Sequence, residues 1–138
     1  MNGTMLTGID HVGIAVEDLD ATVELYRRTL GVEPASRDVV ESQGVEEVLF
    51  EVGDSRIQLV GALGPNTPVG RFLAKRGPGL HHLGLRVDDV GATLRSLRAA
   101  GLPLVDESPR SGSRGTTIAF VHPVGMGGVL VELVQDAR

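Results

Sequence analysis

"GIDHVGIAVEDLDATVELYRRTLG" (Gly8–Gly31) and "GLHHLGLRVDDVGATLRSLRAAG" (Gly79–Gly101) are two versions of one pattern. With the chain laid over itself at a fixed offset, His11 falls on His82, Gly13 on Gly84, Val16 on Val87 and Asp18 on Asp89. Ala21, Thr22 and Arg27 likewise fall on Ala92, Thr93 and Arg98, and most remaining pairs are apolar for apolar. A repeat of this size marks a fold built from two copies of one unit. Each copy opens with an apolar run of strand length, then an acidic residue in N-cap position, Asp18 or Asp89. A stripe at helical spacing follows: Leu19, Val23, Tyr26 and Leu30 in the first copy, Val90, Leu94 and Leu97 in the second. Gly31 and Gly101 end the two helices at matching places.

Three more strands follow each helix. In the first copy they are expected near Val32–Val39, Val45–Val52 and Arg56–Ala62, with "GDS" as the tight turn before the last. In the second they are expected near Pro103–Asp106, Thr116–Val121 and Val129–Val134, Pro103 being suited to the first residue of a strand. The intervening "GPNTPVGRFLAKRGPG" reads as a loop carrying one short helix, with Thr67 as its cap and Pro68 at its first position. Each half is therefore βαβββ: module 1 about 8–62, a linker with a short helix about 63–79, and module 2 about 80–135, within a single domain spanning 1–138. A four-stranded sheet with one helix leaves its second face bare. Two such sheets close around a shared cleft, giving an α+β fold with an eight-stranded, open, cleft-forming barrel.

Composition narrows the function. At 138 residues, with 41% hydrophobic and 22% charged residues, the chain is long enough for one domain with a real core. No apolar run approaches the roughly 20 residues needed to span a bilayer, and "MNGTMLTGID" lacks the basic and apolar pattern of a secretory leader. There are no cysteines, so thiolate chemistry and disulfides are excluded, the expected compartment is the cytoplasm, and any metal must be held by His, carboxylate or amide groups. A formal charge of −5 with 3% aromatic residues gives neither the basic footprint nor the stacking platforms of a nucleic-acid binder. Two local basic clusters stand out, Arg71, Lys75 and Arg76, and Arg110 with Arg114; either is solvated surface charge or a rim for a phosphorylated ligand.

Strand alternation selects the candidate ligands. In the first strand Val12, Ile14 and Val16 share the helix-facing side, leaving His11, Gly13 and Ala15 on the cleft side. In the fifth, Leu83, Leu85 and Val87 face the helix, leaving His82, Gly84 and Arg86 toward the cleft, so His82 and not His81 is the candidate. In the last strands of the two copies, Ile57 and Leu59 stand opposite Gln58, and Val129, Val131 and Leu133 stand opposite Glu132, which could also pair with Arg86. His11, Gln58, His82 and Glu132 thus occupy equivalent cleft positions. Two imidazole nitrogens and two oxygens suit a divalent transition metal with positions left for water or substrate. In "GVEEVLFEVG" the same alternation sends Val48, Phe50 and Val52 to the helix side and Glu47, Leu49 and Glu51 to the cleft. Glu47 is then a candidate general base. Glu46 shares the buried parity and is expected to splay into solvent, and His122 in "HPVGMGG" has no assigned role.

The stretches "IDHVGIAV", "QGVEEV", "TPVGRFLAKRGPGLHHLGLRVDD" and "FVHPVGMGGVLVELVQ" resemble the vicinal oxygen chelate superfamily (glyoxalase/bleomycin resistance/dioxygenase) and, within it, the methylmalonyl-CoA epimerase family. The resemblance runs from Ile9 to Gln135. It implies that His11, Gln58, His82 and Glu132 bind a divalent metal, Co²⁺ in preference to Mn²⁺, Ni²⁺, Zn²⁺ or Fe²⁺. It implies that Glu47 and Glu132 are the catalytic carboxylates, that the reaction interconverts 2R and 2S methylmalonyl-CoA through a metal-stabilised enolate, and that the protein is a homodimer. The partner is then an acyl-CoA substrate, with no nucleic acid and no membrane. A glyoxalase I-type lyase, a dioxygenase and a metal-free ligand-binding module are the alternatives.

Overall fold

The computed structural model describes residues 5–137; residues 1–4, in the stretch read above for a leader, and residue 138 lie outside the described residues. The elements run β1 (Leu6–Ala15), α1 (Leu19–Leu30), β2 (Pro34–Val40), β3 (Val45–Val52), β4 (Ser55–Ala62), α2 (Pro68–Arg76), β5 (Gly79–Val87), α3 (Val90–Ala99), β6 (Arg110–Ser111), β7 (Thr117–Val121) and β8 (Val131–Gln135). This is βαβββ twice, with α2 between the copies. The strands form an eight-stranded sheet in the order β2-β3-β4-β1-β5-β8-β7-β6. Two compact units can be distinguished, and the divisions fall inside strands: one unit is His11–His81, the other is the segment up to Asp10 together with the chain from His82 onward. No helix among the described residues is long and apolar enough to cross a membrane.

In the His11–His81 unit, Asp18 caps α1 by accepting the Ala21 N–H at 2.9 Å, satisfying one of the orphan donors at the helix start. Gly31 ends it with φ +70°. The parallel β1–β4 pair and the antiparallel β3–β4 hairpin send Ile14, Val16, Val48, Phe50, Ile57 and Leu59 toward Leu19, Val23 and Tyr26 of α1. The helix-side parity therefore holds for these residues, whereas Val52, expected on the same side, is 46% exposed at the end of β3 beside the turn to β4. Leu30 does not join this core and is 62% exposed. The helix ends at that residue, and the turn at Gly31 brings Val32 into the cluster. The other face of the same sheet packs against α2 through Ala15, Val45, Val60 and Val69, with Phe72 and Leu73 alongside. Thr67 caps α2 by accepting the Gly70 N–H at 3.0 Å, with Pro68 at the first helical position.

In the other unit, Asp89 caps α3 through the Ala92 N–H at 3.0 Å, and Gly101, at φ +79°, lies just past the helix end. Val90, Leu94 and Leu97 pack on Leu85, Val87, Ala119, Val121, Val131 and Leu133. Two expected strands differ from the observed ones. The segment Pro103–Asp106 makes only an isolated bridge, Leu104 to Val121. Pro103 has no N–H to give, the N–H groups of Val105 and Asp106 both go to the Phe120 carbonyl, and the Asp106 carboxylate takes the Phe120 N–H at 2.8 Å. Leu104, Val105 and Asp106 thus crowd onto Phe120 and Val121 and cannot run a ladder. The sixth strand forms instead at Arg110–Ser111, opposite Ile118 and Thr117. The last strand starts at Val131 rather than Val129, which is 44% exposed, because Gly127 and Gly128, both at positive φ, bend the chain immediately before it. The apolar face expected of Val129, Val131 and Leu133 therefore rests on the latter two.

Candidate active site

Each unit carries part of the expected ligand set, and in both the placement follows from strand register. In the His11–His81 unit, Gly13 of β1 is the Cα partner of Gln58 on β4, with His11 two residues earlier on the same face. On the far side of Gln58, β3 presents Leu49 as its direct partner and Glu47 opposite Val60. His11, Glu47 and Gln58 are all buried, and Glu47 is only 2% exposed. Gln58 Nε2 donates to Glu47 Oε2 at 2.7 Å, a short charge-assisted bond. That bond fixes the amide, because a carboxylate can only accept. Gln58 Oε1 is then left pointing the other way, buried and without a hydrogen-bond partner among the described residues. A buried carbonyl oxygen left unsatisfied costs about 1–3 kcal/mol, and a bound cation would satisfy it.

The second unit repeats the register. Gly84 of β5 is the Cα partner of Glu132 on β8, with His82 two residues earlier. His82 Nε2 lies 3.1 Å from Glu132 Oε1, and both side chains are nearly inaccessible. The His82 ring stands edge-on to Phe120 at 5.8 Å. Phe120 pairs directly with Glu132 across β7 and β8, and Ile118, Leu130 and Val134 continue the apolar surround on that face. β8 is therefore buried on both sides, and a carboxylate stands in an apolar wall beside an imidazole. Burying such a group is costly without a charged partner. Neutral imidazole with carboxylate is a donor set that a divalent transition metal accepts, and His82 and Glu132 each present a ligand atom.

A profile of the Glyoxalase/Bleomycin resistance protein/Dioxygenase superfamily matches residues 10–120. The chain belongs to this superfamily. Within it the chain is 35% identical over 133 residues to an ethylmalonyl-CoA/methylmalonyl-CoA epimerase of Cereibacter sphaeroides, covering 95% of this chain and 99% of that protein. The crystal structure of methylmalonyl-CoA epimerase from Mycobacterium tuberculosis superposes with a TM-score of 0.94 at 41% identity, covering 100% of this chain and 93% of the other. A variant of the Streptomyces coelicolor methylmalonyl-CoA epimerase in complex with 2-nitronate-propionyl-CoA superposes with a TM-score of 0.91 at 42% identity, covering 96% of this chain and 99% of that one. The chain shares the glyoxalase-like fold of these superfamily members along its length.

The remaining charged residues sort cleanly. Glu46 leaves the cleft for Arg37, whose Nε lies 2.8 Å from its carboxylate. Arg37 also pairs with Asp20 at 2.7 Å, and these two carboxylates hold its guanidinium well above the ordinary range. Of the two adjacent glutamates only Glu47 is left on the Gln58 side. Arg86 does not neutralise Glu132; it reaches Asp10 at 3.3 Å and Asp136 at 3.5 Å. His122 caps the turn after β7 by accepting the Val124 N–H on Nδ1 at 3.1 Å. His81 belongs to the other unit, edge-on to Phe72 of α2 at 4.9 Å. Two features were not expected from sequence. One is Phe120 against the His82 ring. The other is Asp10, fully buried, which takes Arg86 on one oxygen and Arg114 on the other, each at 3.3 Å. A signal for Asp10 existed: it shares the apolar parity of Val12 and Ile14, where a lone carboxylate requires partners.

Proposed function

We propose that this protein is a metal-dependent epimerase that interconverts the 2R and 2S forms of methylmalonyl-CoA. The observation that carries the reading is the Glu47–Gln58 pair: a buried carboxylate held by an amide whose own oxygen is free to bind a cation. Its likeness to the Cereibacter and Streptomyces epimerases supplies the substrate class, a malonyl-type thioester of coenzyme A. His11, Gln58, His82 and Glu132 are the residues that would hold the cation. Co²⁺ is favoured by the family resemblance, and Mn²⁺, Ni²⁺, Zn²⁺ and Fe²⁺ suit the same donors. When bound, a divalent ion supplies Lewis-acid polarisation of the thioester carbonyl, which acidifies the C2–H bond.

The protein's own part is proton transfer. Inverting C2 requires one proton removed from one face and one returned to the other, hence two groups. Glu47 takes or gives one proton and Glu132 the other. Gln58 holds the Glu47 carboxylate by its Oε2 and so orients the group that would meet C2–H. Burial of both carboxylates keeps bulk water from the reacting carbon. A positioned base contributes about 10²–10⁴-fold, so the cation must lower the rest of the barrier. The family resemblance also favours a homodimer, and a sequence without cysteines favours the cytoplasm.

The test is incubation of the metal-loaded protein with 2R-methylmalonyl-CoA in deuterated water. Deuterium at C2 together with appearance of the 2S form is expected, lost on chelation and restored by added divalent metal. Turnover of a glutathione hemithioacetal with no exchange into any malonyl-type thioester would overturn the reading in favour of a lyase.

A further inference from the structure

We infer that the exposed side of α2 seats the phosphate groups at the nucleotide end of the acyl-CoA, through Arg71, Lys75 and Arg76. The inference rests on the acyl-CoA reading above and extends it from the thioester to the far end of the substrate. α2 places three cations and no acid on nine residues, "PVGRFLAKR", in a chain of net charge −5. Arg71, Lys75 and Arg76 are all exposed, and among the described residues none of the three meets a carboxylate. The second basic cluster of the sequence is committed elsewhere: Arg110 pairs with Asp106 and Arg114 with Asp10, each at 3.3 Å. Of the two clusters, the one on α2 is without a carboxylate partner among the described residues.

Two of the three side chains are held in place. Arg71 Nη1 donates to the Asn66 carbonyl at 2.9 Å, which leaves its other N–H groups outward. The Arg76 guanidinium lies 5.8 Å from the centroid of the Phe72 ring, and that ring is braced edge-on by His81. A guanidinium fixed by its neighbours loses less entropy on forming the forked bonds that phosphate offers. Lys75 and Arg76 in the last turn also complement the helix dipole, but that does not account for Arg71, a turn earlier.

The position of α2 decides the ligand. Its apolar side covers Val45 on β3 and Val60 on β4, each two residues from Glu47 and Gln58 on the same face, or roughly 7 Å along the strand. The helix thus lies along the sheet face that carries the proton-transfer residue, with its basic side turned to solvent. A substrate whose acyl group reaches Glu47 and whose other end bears phosphates meets this rim, and coenzyme A is such a molecule.

The experiment is calorimetric titration of the metal-loaded full-length protein with coenzyme A and with pantetheine, which lacks the phosphates. The wild type is expected to bind coenzyme A at least tenfold more tightly, with a preference that weakens as salt screens the charges. In the R71Q/K75Q/R76Q variant the ratio should fall toward one. Lys75→Glu, which alters an exposed side chain with no ion pair among the described residues, should lower it about threefold on its own, so the inference does not depend on the triple variant's folding. A ratio unchanged in both variants overturns the inference, as does a wild type with no preference. Because no turnover is read, an epimerase that fails this test remains an epimerase, and a protein that passes it without epimerising loses only the reaction.

Discussion

Gln58 donates its amide hydrogen to the carboxylate of Glu47 across 2.7 Å, from the middle of one strand to its antiparallel neighbour. The contact gives Gln58 two jobs that cannot be separated. Its nitrogen orients the carboxylate, and the same orientation aims its oxygen away, buried and unsatisfied by the protein. A primary amide does both, since it carries a donor and an acceptor on one carbon. Glutamate would repel Glu47, and leucine would offer neither atom.

Gln58→Leu, similar in volume, is expected to fold and to bind divalent metal at least tenfold more weakly, measured by titration with a competing chelator. Restoring metal by excess should not restore the full rate, because Glu47 has also lost its donor. A variant with wild-type affinity for the ion would remove Gln58 from the ligand set.

His82→Ala should purify with little metal, whereas His81→Ala should retain most of it by elemental analysis. His82 is buried against Glu132, and His81 packs on Phe72 in the other unit. Equal metal loss in the two variants would contradict the alternation that separates them.

Glu47→Gln should keep the metal and lose interconversion by about 10²–10⁴-fold. In deuterated water it should still exchange the C2 proton of one epimer through Glu132 and fail to convert it, while the opposite epimer exchanges slowly or not at all. Exchange of both epimers at equal rates would show that the two carboxylates do not divide the work.

Asp10→Asn removes the fully buried charge that two arginines share. Stability should fall by about 2–4 kcal/mol, below the full cost of breaking a buried pair because both guanidiniums are partly solvated. Arg114 lies at φ +58°, a left-handed conformation that side chains other than glycine rarely adopt, and Asp10 is the partner that holds it there. Urea unfolding of the two proteins in parallel measures the difference.

Most of the site was legible because two regular signals, alternation and repeat, coincide in it. Ile14, Val48, Phe50 and Leu59 all fall on the helix side as their parity requires, and the same rule leaves His11, Gln58, His82 and Glu132 on the other. The register agrees with the repeat: Gly13 sits beside Gln58 and Gly84 beside Glu132, so the candidate positions are equivalent. Glu47 stands opposite the residue two past Gln58, and its counterpart opposite the residue two past Glu132 is Ile118. The duplication is thus broken at Glu47, the proposed base. Alternation failed where turns intervene: around Pro103, and before Val131, where two glycines bend the chain. It was silent on α2, whose apolar residues show a buried face but not which side of the sheet receives it.

The two compact units divide between Asp10 and His11 and between His81 and His82, and this has a consequence for the order of assembly during synthesis. The unit that holds Glu47 and Gln58 is one uninterrupted stretch of chain, so all its contacts become available when its last residue leaves the ribosome. The other is discontinuous and must wait for β8, the final strand, before His82 meets Glu132. The nascent chain thus completes the half that carries Glu47 and Gln58 first, while the first strand remains open along the segment that belongs to the late-arriving half.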